Sequence, residues 1–215
     1  VIIATTIIAL IGWKDDLHSV PAHWRFGIQS LMAFFVIAAI GYYDQISIYK
    51  YLIYLSWMGL PFTFLWIVGL VNAFNFMDGI DGNAGGIGVV AGIVWSLISL
   101  YQRDLDLFLL SALVVMSCFG FLYHNWQPAR IFMGDSGSTF LGFIFAVIPL
   151  LTYHSNGDAK IPIAAILIVA PWIWDAFYTF IRRLFRKESV FTAHRTYLYQ
   201  RLAIVGYSHR IVSVF

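Results

Sequence analysis

At 215 residues, the chain is 60% hydrophobic and only 11% charged, with a formal charge of +2 and a mean hydropathy of +0.79. These values exclude a soluble globular domain, and so small a net charge gives no case for nucleic acid as a partner. The expected fold class is all-α, a polytopic integral membrane helical bundle. Aromatic residues at 18%, with 8 Trp and 12 Tyr, suit rings at two lipid–water interfaces.

The first apolar run, 1–11, is too short to cross a bilayer at about 1.5 Å per residue. It has neither an initiator Met nor a basic n-region, so it does not read as a signal peptide. Runs at 27–43, 55–74, 84–101, 106–123, 137–154 and 161–181 read as helices, about seven spans with the partial first one. Ile211–Phe215 reads as the beginning of another. No linker, repeat or low-complexity stretch separates the runs. Residues 1–215 are therefore expected to form one domain, an internal piece of a longer polytopic protein. Cys118, inside an apolar run, reads as a packing residue.

The connections alternate between two sets: 12–26, 72–83, 124–136 and 182–210 against 44–54, 102–105 and 155–160. Ten of the thirteen Lys and Arg residues lie in the first set, which the positive-inside rule assigns to the cytoplasmic face. Asp15, Asp16, Asp78, Asp81 and Asp135 fall in the same set, although the sorting used only Lys and Arg. Three separated loops thus carry acids to one face, where a cation and a phosphorylated substrate are expected.

Asp15 and Asp16 follow the end of the first run, in GWKDDLHSV. A solvated interfacial loop would explain an isolated pair. Alternatively the two share a divalent cation, or one binds metal while the other accepts a proton. Two like charges so close raise one pKa unless a cation compensates. Lys14 and Arg25 nearby can serve a lipid phosphate. In NAFNFMDGIDG, Asn72, Asn75, Asp78 and Asp81 recur every three residues. On an ideal α-helix each such step turns about 300°, so Asn72 and Asp81 drift to opposite faces. Gly79 and Gly82 loosen the backbone and can bring Asp81 back. A polar cap at the membrane edge is the plainer explanation; the functional one has Asn fixing a base or ribose and Asp ligating metal.

In MGDSGS, N-capping by Asp135 or Ser136 competes with a phosphate seat at a helix N-terminus, where Asp135 would complete a metal site. Asp175, near the membrane end of its run, is costly there and calls for a partner rather than a catalytic role. Arg182, Arg183, Arg186 and Lys187 read as a positive-inside stop signal. His194 and Arg195 read as a grip on a diphosphate, with Arg201 a weaker candidate of the same kind.

Together these motifs resemble the polyprenyl-phosphate N-acetylhexosamine-1-phosphate transferases (glycosyltransferase family 4), from the DD pair to the His-containing last loop. The resemblance implies a parent of about ten spans in the bacterial inner (plasma) membrane, with its active site on the cytoplasmic face. It also implies a reaction. A polyprenyl (undecaprenyl) phosphate attacks the β-phosphorus of a UDP-N-acetylhexosamine, giving the lipid diphosphate sugar and UMP, with Mg²⁺ required or Mn²⁺ in its place. On this sequence Asp15 and Asp16 match the paired catalytic acids, and Asp16, Asp78 and Asp135 the metal ligands. Asn72, Asn75, Asp78, Asp81, His194 and Arg195 match the nucleotide and sugar-phosphate site. Membrane lipid surrounds the protein, and a homodimer is the oligomer held open.

Two departures bear on the substrate. Arg25 stands where many members carry Lys, keeping charge but not geometry. The last loop reads AHRTYLYQRL, with Tyr197 where related members often have a second His. The muramoyl-pentapeptide branch carries a run of histidines there. The pattern is therefore closer to the O-antigen-initiating branch, and UDP-GlcNAc or a 6-deoxy-N-acetylhexosamine is expected over the muramoyl substrate. One rival is an intramembrane Mg-dependent prenyltransferase, which NAFNFMDGID imitates loosely, though no second aspartate-rich loop matches. A cation transporter, the other rival, needs acids at mid-membrane depth.

Overall fold

The structure, a computed structural model, describes residues 1–188 and 196–214. Along the chain run α1 (Ile2–Leu17), α2 (Ala22–Ile40), strands β1 (Gln45–Ile48) and β2 (Tyr51–Tyr54), and a 3₁₀ turn at Ser56–Met58. Then follow α3 (Gly59–Met77), α4 (Asn83–Tyr101), α5 (Leu105–Asn125), α6 (Gly134–Asn156) and α7 (Ile161–Ile168). The remaining helices are α8 (Ala170–Phe185), α9 (Leu198–Val205) and α10 (His209–Val214). α2, α3 with its 3₁₀ turn, α4, α5 and α6 are each long and apolar enough to cross a membrane. α7 and α8 together make a sixth such segment, bent by 71°, while α1 has 16 residues. The seven apolar runs therefore become five spanning helices, one broken segment and one shorter helix.

α6 is the centre. Residues 141–150 are buried without a break, and Phe143, Phe145, Ile148 and Leu150 are almost wholly enclosed. A helix apolar on every side must be surrounded by other elements. α1 and α3 lie along it, α2 packs on both of those, and α4 and α5 pack chiefly on each other. Lipid tails are as apolar as leucine, so close packing and interhelical hydrogen bonds hold such a bundle more than water exclusion does. Trp66 Nε1, for example, donates to the Ala146 carbonyl at 3.0 Å.

Three expectations change. α1 runs on through Asp15 and Asp16 to Leu17, so the pair sits on the helix's last turns and not beyond its end; extended His18 (φ −147°, ψ 111°) stops it. Residues 44–54, read as a loop, contain an antiparallel hairpin with Gln45 opposite Tyr54 and Ile48 opposite Tyr51. β-branched and aromatic residues in QISI and YLIY favour strands, and Ser47 N–H ties the hairpin to the Ala159 carbonyl at 2.7 Å. Finally, the run 161–181 breaks at Val169. Pro171 has no N–H for the Leu167 carbonyl, so a continuous helix loses that bond there.

The two sets of connections do gather at opposite ends. Ser155 Oγ meets Asp104 at 3.0 Å, Asn156 Nδ2 meets Gln102 Oε1 at 3.0 Å, and the Tyr153 hydroxyl donates to Asp44. The acids of the first set meet at the other end.

Candidate active site

The contact between α1 and α6 organises this end. Asp16, exposed on the last turn of α1, accepts the backbone N–H groups of Asp135 (2.8 Å) and Ser136 (3.1 Å). The first N–H groups of a helix have no partner within it, and their aligned dipoles attract an anion. α6 has no side-chain cap of its own, so Asp16 caps it from a neighbouring helix. At the helix start where MGDSGS suggested a phosphate seat, a carboxylate of the chain itself takes the amides. Gly134 permits the approach. Its φ is +68°, and a β-carbon there would lie 2.8 Å from both Asp16 oxygens.

Asp15, half-buried, accepts the Val20 N–H at 2.6 Å. The Arg25 guanidinium bridges Asp15 and Asp135, one cation between two carboxylates. Asp78 closes the group as the residue that ends α3. Burial, and then the nearness of Asp135 and Asp16, pushes its carboxyl from the ordinary 3.8 up to about 7, against the pull of the Gly134 N–H. One turn back, Asn75 Nδ2 donates to Ser138 Oγ at 3.2 Å, and that hydroxyl donates to the Gly134 carbonyl at 2.8 Å. Asp15, Asp16, Arg25, Asn75, Asp78, Asp135 and Ser138 thus form one connected site.

Other expected members stand elsewhere. Asn72 lies deeper in the bundle, donating to Gln29 Oε1 and the Val68 carbonyl, each at 2.8 Å. Asp81 turns toward the α5–α6 connection, where it accepts the Ala129 N–H at 3.2 Å and lies 3.5 Å from His209 Nδ1. Gly82, at φ +79°, does bend the chain, but the bend carries Asp81 away from the Asp78 group. Asn125 secures that bend by accepting the Gly82 N–H at 2.9 Å. Lys14 is exposed on α1, and His194 and Arg195 lie outside the described residues. Sequence reasoning did not single out Gln29, Ser138, Asn125 or His209. For Gln29 and Asn125 the available signal was an amide side chain close to apolar and aromatic neighbours, in FGIQSLM and LYHNWQ.

Among the described residues, no three acidic or imidazole side chains are already gathered about one point. The donor chemistry nevertheless fits a hard divalent cation, because every candidate ligand is a carboxylate oxygen. The repulsion that raises Asp78 is what such an ion would relieve.

Comparison with known proteins matches residues 1–153 to the glycosyl transferase family 4 model. A probable undecaprenyl-phosphate N-acetylglucosaminyl 1-phosphate transferase of Bacillus subtilis is 34% identical over 95% of this chain and 58% of its own length. A phospho-N-acetylmuramoyl-pentapeptide-transferase of Listeria monocytogenes is 31% identical over 87% of the chain and 63% of its own. A decaprenyl-phosphate N-acetylglucosaminephosphotransferase of Mycobacterium leprae is 29% identical, over 99% and 59% respectively. The chain therefore spans about three-fifths of the length of these relatives.

Proposed function

This chain belongs to glycosyl transferase family 4, and from that membership we propose that its acidic end transfers N-acetylhexosamine 1-phosphate from a UDP-sugar to polyprenyl phosphate, releasing UMP. The observation that carries the proposal is the approach of Asp15, Asp16, Asp78 and Asp135, from three separate stretches, to the start of α6 at one end of a membrane bundle, with Arg25 between Asp15 and Asp135. That end is taken to face the cytoplasm of a bacterium, since most of the Lys and Arg residues lie in its connections.

In the reaction, a phosphate oxygen of the lipid forms a bond to the β-phosphorus of the UDP-sugar. The bond from that phosphorus to the bridging oxygen breaks, and UMP leaves with the electron pair. Phosphoryl transfer of this kind depends on charge neutralisation and in-line positioning more than on covalent help from the protein. Arg25 is the cation available to the lipid phosphate, and Asp15 or Asp16 the base for its proton. Mg²⁺, or Mn²⁺ in its place, would be held by Asp16, Asp78 and Asp135 and would neutralise the diphosphate. Asn75 is the nucleotide contact favoured by its position beside Ser138. His194 is assigned to the phosphates or to selection of the sugar by family resemblance, and Arg195 beside it to the diphosphate by the chemistry of its guanidinium. The sugar proposed is N-acetylglucosamine or a close relative: two of the relatives named above carry it in their names, and the last loop lacks a run of histidines. The product would start a lipid-linked glycan of the cell envelope.

The test is UMP release by the complete protein in detergent, given polyprenyl phosphate and a panel of UDP-N-acetylhexosamines, with Mg²⁺ or with EDTA. Release that requires the lipid, the ion and one sugar is expected. A folded protein that ignores every UDP-sugar but consumes a prenyl diphosphate would overturn the proposal in favour of a prenyltransferase.

A further inference from the structure

The inward face of α8 is polar although the helix is rich in aromatic residues. Asp175, Thr179 and Arg183, four residues apart, are buried, while Trp174, Phe177, Phe180 and Phe185 are exposed. The Asp175 carboxylate accepts the Leu198 N–H (2.8 Å), the Tyr199 N–H (3.3 Å) and the Thr179 hydroxyl (3.3 Å). It therefore caps α9 from another helix, as Tyr197 supplies no side-chain cap bond. A buried acid satisfied by three donors in this way fixes whatever carries the donors.

What α9 carries is Tyr199. Its hydroxyl donates to the Phe76 carbonyl at 2.7 Å, two residues before Asp78. That carbonyl lies in the last turn of α3, where the helix has no N–H of its own to offer. Tyr197 stacks on Phe76 at 5.7 Å and on Tyr199 at 6.0 Å between ring centroids. Gly79 leaves the room: a β-carbon there would collide with the Tyr199 hydroxyl and Gln200 Nε2. The turn from α3 to α4 is held only loosely by its own backbone, with Asp78 N–H to Asn75 O at 3.4 Å and Asn83 N–H to Ile80 O at 3.3 Å.

We propose that Asp175 is a positioning residue which, through Tyr199, braces the α3–α4 turn and so sets where Asp78 stands in the site. The kinetic consequence rests on the transferase reading above; the mechanical one does not. Two variants of the complete protein, Asp175→Asn and Tyr199→Phe, test both by amide hydrogen exchange and by UMP release.

Asp175→Asn speeds exchange in 198–205 and also in 76–83, although of these two segments its hydrogen bonds reach the first. Tyr199→Phe speeds exchange in 76–83 and leaves 198–205 near wild type. Both lower kcat on the order of 10- to 100-fold, the size expected of a misplaced catalytic group, with KM for the polyprenyl phosphate little changed. Asp175→Glu recovers part of kcat. Faster exchange confined to 198–205 in Asp175→Asn would reduce Asp175 to a local cap and overturn the proposal, as would wild-type exchange and kcat in Tyr199→Phe. If the wild type transfers no sugar phosphate, the transferase reading fails, and the exchange experiment still decides the brace.

Discussion

At the hairpin end of the bundle, Asp44 takes the Tyr153 hydroxyl, while Asp104 takes the Ser155 hydroxyl and caps α5 through the Leu107 N–H. At the other end, Asp15, Asp16, Asp78 and Asp135 crowd about Arg25 and the start of α6. Both ends are rich in acids, but only one concentrates them. Acids that each receive a neutral donor close a loop and ask for nothing further. Acids that share one guanidinium and repel one another store electrostatic work, which a bound cation can release. The difference, more than the number of carboxylates, is what marks a site.

The largest test of this contrast is neutralisation of single acids. Asp78→Asn or Asp135→Asn in the complete protein should cut kcat for UMP release by roughly 10²- to 10³-fold, the range for losing one group that stabilises developing charge. Asp44→Asn and Asp104→Asn should leave it near wild type. Comparable losses at both ends would break the contrast.

A pair of glycines sharpens it. Gly134 and Gly157 both hold positive φ, at +68° and +65°, at the two ends of α6. A β-carbon at Gly157 meets nothing within 4 Å, whereas at Gly134 it meets Asp16. Alanine at Gly157 should cost about 1 kcal/mol, the left-handed penalty alone. Alanine at Gly134 should cost more, and only there should UMP release also fall. Thermal melts in detergent with parallel assays check both.

The two ends should also differ in pH response. The Asp78 carboxyl, at about 7 when folded against an ordinary 3.8, binds more protons in the folded state across that interval. In EDTA, stability should therefore fall as pH rises from about 4 to 7 and level off above. Mg²⁺ should flatten the slope, and Asp78→Asn should remove it. Asp44 behaves oppositely: the Tyr153 hydroxyl holds its carboxyl below 3.8, so its contribution is complete above that value and fades as pH falls through the depressed one. A slope between pH 4 and 7 that survives Asp78→Asn would assign the effect elsewhere. The smallest effect expected is that of Tyr153→Phe, which removes one half-exposed bond worth about 1 kcal/mol or less and should lower Tm slightly without touching kcat.

Much of the site was legible because its chemistry sits in short words of sequence. The DD pair, Asp78 and Asp135 lie on one side of the Lys and Arg sorting, and they meet. What sequence could not give is direction at a bend. The recurrence of Asn72, Asn75, Asp78 and Asp81 every three residues put Asn72 and Asp81 on opposite faces of an ideal helix unless the glycines brought Asp81 back; the chain leaves the helix after Met77, and Asp81 lies beside His209 instead. Asn72 remains within α3 and meets Gln29 on α2, a partner that no local pattern names. The hairpin went unread because QISIYKYLIY sits among spans and is apolar enough to pass as the approach to one. Asp175 did announce a need for a partner, but that the partner would be the backbone of α9 depends on the fold alone.

The two amides at the start of α6 are never without a ligand while Asp16 stands beside them, since that ligand is tethered to the same molecule. Its effective concentration is about millimolar or above, as for any binding partner on a short link. An incoming phosphate would have to displace this tethered carboxylate, and a ligand that gains contacts elsewhere in the site at the same time would do so more readily than a single phosphate.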